Sequence, residues 1–559
     1  MIQIQSQAKT YDVCIVGSGA GGGMAAKVLS EGGADCVLLE AGPWWSADKD
    51  GAMMAWPHSS PRRGAGSRQR PFGEFDGCLG GWDIEGEPYT VASGQRFMWF
   101  RARMLGGRTN HWGRISLRFG PWDFKGRSRD GVGDDWPIGY EDVKPYYDKL
   151  EQMVGLFGSM EGLENEPDGI FQPPPAPRAF ERLVKKACDG LSITCIPSRL
   201  SVLTRPLGDR PACHYCGQCG RGCSTRSNFS SPSVLLPPAL KTGRLKILTG
   251  AMAREVLTND EGLATGVSYI DTTTGREQQV KARIVVLAAS ACETARLLLN
   301  SKDGGLANGS GQVGRNLMDT TGTNVSGHIP ALENRPRYNE DGAEVGHLYI
   351  PWWLYKEQAA GKLDFPRGYH FEIGGRFGAP GAGAPTRGME DGYGASLKED
   401  ARRYYGAQIS FTVRGEMIPN SASYCELDPS VKDKFGLAVL RFHWKWSDYE
   451  TRQIAHGMQT AKEIIERLGG KVTTPMRPPE QAIDVGGWII HEVGTTRMGT
   501  SASDSVTDGF GKTWEVDNLV VVDGGIFTSN PHKNPTLTIM ALAWRNMDKL
   551  ADRMRKGEV

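Results

Sequence analysis

No run of about 18 apolar residues occurs in this 559-residue chain, so no membrane-spanning helix is expected. No charge excess exists either: 65 basic residues stand against 64 acidic ones, and no long Lys/Arg run is present, so nucleic-acid binding is not expected. Periodic repeats are missing, although 73 glycines are nearly twice the usual share; they sit in scattered short loops suited to tight turns around a nucleotide. The first residues lack a basic segment followed by an apolar one, so the chain is expected to carry no export signal of its own. Eleven cysteines, an odd number, do not form a disulfide framework. Cys14, Cys36, Cys78, Cys188, Cys195, Cys292 and Cys425 are scattered and read as buried small hydrophobes.

The other four cysteines are clustered. Cys213, Cys216, Cys219 and Cys223 lie in CHYCGQCGRGC, and C-x2-C-x2-C-x3-C is the spacing with which thiolates wrap an iron–sulfur cluster. Ser224 replaces the proline that ends the ferredoxin run. A four-thiolate zinc site and unligated thiols are the alternatives; the usual zinc form holds two C-x2-C pairs well apart.

Near the N-terminus an apolar strand, YDVCIV, runs into Gly17-Ser18-Gly19-Ala20-Gly21-Gly22, then a helical stretch, then the strand CVLLE ending at Glu40. Strand, G-x-G-x-x-G, helix, strand and acid in that order predict dinucleotide binding. Gly17, Gly19 and Gly22 let the backbone approach a pyrophosphate at a helix N-terminus, and Glu40 is placed to accept from a ribose hydroxyl. A further βαβ-like piece near 284–300 implies a split nucleotide domain, as FAD enzymes have.

Residues 330–480 read as a substrate domain. Runs at 347–355, 369–374, 408–417, 423–427 and 438–446 predict one antiparallel sheet facing the cofactor. Ser447 and Glu450 form a capping box opening a helix whose apolar stripe (Ile454, Met458, Ala461, Ile465, Leu468) is core, and Gly469 closes it. Trp352, Trp353, Trp444 and Trp446 could stack on sugars but fit a sheet core better. The glycine-rich segment 374–394 reads as a loop, either a lid or partner surface or a plain tether.

HEVGTTRMG at 491–499 and LVVVDGGIFTSNPHKNPTLTIMALAWR at 519–545, with the N-terminal fingerprint, resemble the glucose–methanol–choline (GMC) oxidoreductases, which oxidise alcohols with FAD. MLGGRTNHWG at 104–113, VVLAASACETARLLL at 285–299 and VGRNLMD at 313–319 extend the resemblance in the family's order. It implies an α/β fold: a Rossmann-like FAD domain (1–329 plus 481–559, with an iron–sulfur insertion around 205–230) and an α+β substrate domain (330–480). It also implies His491 as base and Asn534 as its partner, with His532 the weaker candidate for that place. Gly106, Gly107, Asn110, Asp523 and Pro535 are implied to contact the flavin. His111 is implied to contact it or to carry a covalent link.

Within the family the cysteine run resembles cluster-bearing sugar dehydrogenases. Cys213, Cys219 and Cys223 match the ligands of a [3Fe–4S] cluster, and Cys216 is a fourth that would permit [4Fe–4S]. The full motif looks most like the large subunit of glucoside 3-dehydrogenases. That likeness implies oxidation of a glucoside ring hydroxyl, a small subunit bearing a twin-arginine signal, periplasmic co-export, and a cytochrome c or similar acceptor. The rival readings are a dioxygen-using pyranose or glycoside oxidase with structural cysteines, and a redox-silent flavin fold.

Overall fold

The computed structural model describes residues 9–336, 342–375, 377 and 393–559. Its first sheet grows from the strand Thr10–Val16, whose residues are buried almost throughout, as a strand covered on both faces must be. Cys36–Glu40 lies parallel to it on one side, with Leu245–Thr249 beyond. On the other side runs the long strand Glu277–Leu287. Its C-terminal half pairs in parallel with Leu519–Val521, and its N-terminal half pairs antiparallel with Ala264–Asp271, which leads to Ala251–Thr258. The helices Ala20–Glu31 and Thr536–Arg555 pack against one another beside this sheet.

A second sheet is wholly antiparallel, in the order Lys471–Val472, Thr321–His328, Gln408–Gly415, Tyr369–Gly374, Leu348–Ile350, Ile196–Pro197. Alternation is strict in Gln408–Gly415: Ile409, Phe411 and Val413 enter the core, and Ser410, Thr412 and Arg414 face the other way. The capping box forms as expected. Ser447 Oγ accepts from the Tyr449 amide, and the helix Asp448–Arg467 lays Ile454, Met458, Ala461, Ile464 and Ile465 on the sheet. Gly469, at φ +68°, closes it.

Two features depart from the sequence reading. Tyr424–Lys432 and Ala438–His443 do not join the large antiparallel sheet; they pair with Thr90–Val91 in a three-stranded sheet whose Cys425, Leu440 and Phe442 pack into the nucleotide-side core. The large sheet is instead completed by Ile196–Pro197 and covered in part by the helix Ala179–Asp189, both far upstream. Most of the glycine-rich segment 374–394 lies outside the described residues. The seven scattered cysteines are all buried and free. Among the described residues, no helix is long and apolar enough to cross a membrane.

Candidate active site

A cavity of about 460 Å³ runs from the glycine turn to the antiparallel sheet. Three helices point their N-termini at it, those beginning at Ala20, Ala291 and Thr536. Their unpaired amides and aligned dipoles favour an anion. Gly17 takes φ +95°, and a side chain there would strike the Ala288 carbonyl. Gly22 lies just behind: a Cβ would collide with the Gly17 carbonyl, so glycine is what lets the helix seat on the turn. Gly19 differs, with nothing within 4 Å of its missing Cβ, because that space is cavity.

Glu40 ends its strand inside the same cavity, accepting from Gly42 N at 2.9 Å and from the Ser18 hydroxyl and amide. Burial raises its pKa. Asp523 also lines the cavity; it accepts from Gly525 N at 2.8 Å and from Thr294 Oγ1, and burial pushes it up to about 6. Gly107, His111 and Pro535 are lining residues, whereas Gly106 and Asn110 stand behind them. Asn110 shapes the turn by donating to Leu105 O at 2.8 Å, and Gly106 N donates to Ser18 Oγ at 2.7 Å. His111 is held neutral, its pKa pushed down to about 3 by burial and by Arg114 and Arg108. Its buried Nε2 has no hydrogen-bond partner.

At the other end of the cavity stand His491 and Asn534. His491 is fixed twice: its Nδ1 meets Thr320 Oγ1 at 2.9 Å, and its amide donates to Asp319 Oδ1 at 3.0 Å. Nε2 is left for substrate. Asn534 is turned inward by its neighbour Lys533, fully buried, whose Nζ donates to Asp123 Oδ2 and to Asn165 O, both at 2.6 Å. His532, two residues earlier, takes a different place, with its Nε2 3.5 Å from Tyr355 OH. His532 does not line the cavity.

Glu372 and Arg414 were not anticipated. Both project from the antiparallel sheet into the cavity beside His491, with Oε2 of Glu372 3.4 Å from Arg414 and Oε1 3.4 Å from Asn534 Nδ2. Burial opposes ionisation of Glu372, but Arg414 and His370 outweigh it and hold its pKa well below the usual carboxylate range. The four candidate tryptophans do not line the cavity, and Trp352 and Trp444 are core residues. The aromatic rings of the wall are Phe72, Phe100 and Trp112, and beside Phe72 and Phe100 Trp82 stacks on Trp488 at 5.1 Å.

Burial, then Arg414, pushes His491 down to about 3 despite Glu372. A lowered histidine pKa favours the neutral, proton-accepting form. With an ordinary pKa of about 6.5, going from pH ~7.5 to ~5.5 would cut that form about tenfold. Here the imidazole is expected to add no acid limb over that range, where Asp523 and Asp319, raised to about 6 and about 7, are the groups that titrate; a limb in a stopped-flow pH profile that persists in Asp319→Asn and Asp523→Asn would contradict the lowered histidine pKa.

The four clustered cysteines are half-buried around one small pocket with Met53, Val202 and Asn228. Among the described residues, no three of their sulfurs lie within 4.8 Å of one another. A tetrahedral zinc, with Zn–S near 2.3 Å, needs sulfurs about 3.8 Å apart. As it stands the loop does not form a closed mononuclear zinc site. The enclosed space, about 10 Å³, is smaller than a multi-iron group. Arg114, fully buried, donates through its guanidinium to Asn110 O at 2.7 Å and to Trp112 O and lies in the field of the Cys219 and Cys223 thiols.

Models of the GMC oxidoreductase family match residues 20–321 and 419–543. The chain belongs to the GMC oxidoreductases. It is an FAD flavoprotein that acts on CH–OH groups of alcohols or sugars. The chain is 31% identical to 2-methyl-1,2-propanediol dehydrogenase of Mycolicibacterium austroafricanum, over 98% of its own length and 96% of the relative's. It is 26% identical to the fructose dehydrogenase large subunit of Gluconobacter japonicus, over 99% and 100%. Formate oxidase of Aspergillus oryzae superposes with a TM-score of 0.67 at 14% identity, covering 99% and 100% of the two chains, which speaks to the fold alone.

Proposed function

We propose that this GMC oxidoreductase is a dehydrogenase of sugars, oxidising a ring hydroxyl of a glucoside at C3 to a ketone and passing electrons through an iron–sulfur group held by Cys213, Cys216, Cys219 and Cys223. The observation that supports the electron route is the four-thiol loop, whose cysteines line one small pocket and whose Cys219 and Cys223 lie in the field of the buried Arg114 beside the flavin cavity. FAD, held by the glycine turn, Glu40 and Asp523, supplies a hydride acceptor when bound. His491 Nε2 takes the hydroxyl proton, and Asn534 orients that hydroxyl. The iron–sulfur group would supply one-electron transfer to an external carrier. A sugar substrate draws support from the fructose dehydrogenase relative, whose name as a large subunit also supports a small-subunit partner. The assembly is proposed to be periplasmic, with a cytochrome c or similar acceptor.

The test is iron and acid-labile sulfide per flavin on anaerobically purified protein, with EPR before and after methyl glucoside. About three or four irons per flavin, and a signal that changes on adding the glucoside, are expected. Negligible iron together with rapid peroxide formation in air would replace this reading by an oxidase with structural cysteines.

A further inference from the structure

Buried ion pairs elsewhere in this protein are tight. Arg367 meets Glu416 at 2.6 Å, and Arg296 meets Asp433 at 2.6 Å. The pair in the active cavity is slacker and partly open to it, the Arg414 and Glu372 side chains being 18% and 25% exposed. Glu372 stands 3.4 Å from Arg414, 3.4 Å from Asn534 Nδ2 and 3.7 Å from His370 Nε2. Around it, Asn534 Oδ1 and both ring nitrogens of His370 are buried without hydrogen-bond partners. Buried amide and imidazole atoms left in this way are costly unless something completes their hydrogen bonds, and the partly exposed pair beside them is open to the same partner. What completes them must bring donors to Glu372 Oε1, Oε2 and Asn534 Oδ1, and an acceptor to Arg414, within reach of the group that His491 deprotonates.

A hydroxyl does both. A monohydric alcohol places its single hydroxyl at His491 and leaves the carboxylate and guanidinium with only each other and Asn534. A vicinal polyol places one hydroxyl at His491 and the next at Glu372 and Arg414. The pair carries opposite charges, so an uncharged partner suits it better than an anion or a cation. The register explains why the two side chains act together. His370 lies directly opposite Arg414 across the strand pair and Glu372 opposite Thr412, which puts all four on the face away from the sheet core.

We infer that Glu372 and Arg414 form the receptor for the hydroxyl adjacent to the one oxidised, and so restrict the substrate to uncharged compounds with vicinal hydroxyl groups. This rests on the reading of His491 as the proton acceptor in alcohol oxidation. Glu372 is a specificity-determining residue.

The experiment uses the full-length holoprotein with methyl β-D-glucoside as vicinal polyol and cyclohexanol as its monohydric counterpart, following anaerobic bleaching of the flavin. Wild type is expected to favour the glucoside at least about 100-fold in the second-order rate constant, because sites built to bond a hydroxyl reject analogues lacking it by large factors. Glu372→Gln is expected to bring that ratio below about tenfold by losing the glucoside rather than gaining cyclohexanol, with flavin content and absorbance unchanged. Should that variant not retain FAD, Arg414→Gln is read in the same way. Equal handling of the two probes by wild type, or a preference that survives in the variant, overturns the inference. No bleaching of wild type by either probe overturns the parent reading instead.

Discussion

Alanine at position 491 lowers the rate of anaerobic flavin reduction by about 10²–10⁴-fold, the usual contribution of a positioned general base. The expectation rests on how little freedom the imidazole has. Thr320 Oγ1 holds Nδ1 at 2.9 Å, and Asp319, with no exposure, gathers the amides of Thr320 at 2.9 Å and His491 at 3.0 Å. Removing the ring leaves this backbone scaffold in place, so FAD content and flavin absorbance should match wild type. Thr320→Val, which frees Nδ1 but keeps the base, should cost about tenfold. A His491→Ala protein that bleaches at near wild-type rate would mean that another group takes the proton.

Valine at Gly22 should yield protein without flavin and with a stability loss above about 4 kcal/mol, the range reached when a side chain is forced into packed backbone. Its Cβ points at the Gly17 carbonyl and at Ala288 Cβ, 3.1 Å away, so the helix Ala20–Glu31 would have to lift off the turn that starts it. Gly19→Ala is the informative contrast. Gly19 has ordinary φ of −69° and no protein atom within 4 Å of its missing Cβ. That variant should fold with an unchanged apo melting temperature yet bind FAD more weakly, since the added methyl occupies space meant for the cofactor. Thermal unfolding with and without added FAD separates the two outcomes.

The nucleotide half was legible because its signals are local. Strand, glycine turn, helix and acid follow one another within about thirty residues, and each glycine has a steric reason that a spacing can report. The capping box at Ser447 and the closing Gly469 are local in the same sense. Strand partners are not. Tyr424–Lys432 alternates well enough for either sheet, and only Thr90–Val91, more than 300 residues upstream, shows which one it joins. Glu372 and Arg414 were missed for a related reason. In HFEIG and ISFTVRG the period of two identifies the apolar face, and the polar face of such a strand is taken by default to meet water. Here that face looks onto a cavity, and no pattern in one strand states what lies across from it. His532 and Asn534 show the reverse: two residues apart, they would share a face of a regular strand, and only their contacts, His532 against Tyr355 and Asn534 against Glu372, separate them.

Ile490 lies in the left-handed region at φ +65°, a conformation that a β-branched residue resists at a cost of about 1–3 kcal/mol. It is held there from outside: Arg108 NH1, 382 positions earlier in the chain, donates to its carbonyl at 3.1 Å and pairs with Glu492 at 2.5 Å, bracketing His491. The segment carrying His491 is thus a loaded spring whose latch is a sequence-distant residue lining the same cavity. Drift at position 108 would unlatch it and disable the base without altering a residue near it in sequence, and a glycine at 490 would relieve the load and make the latch dispensable.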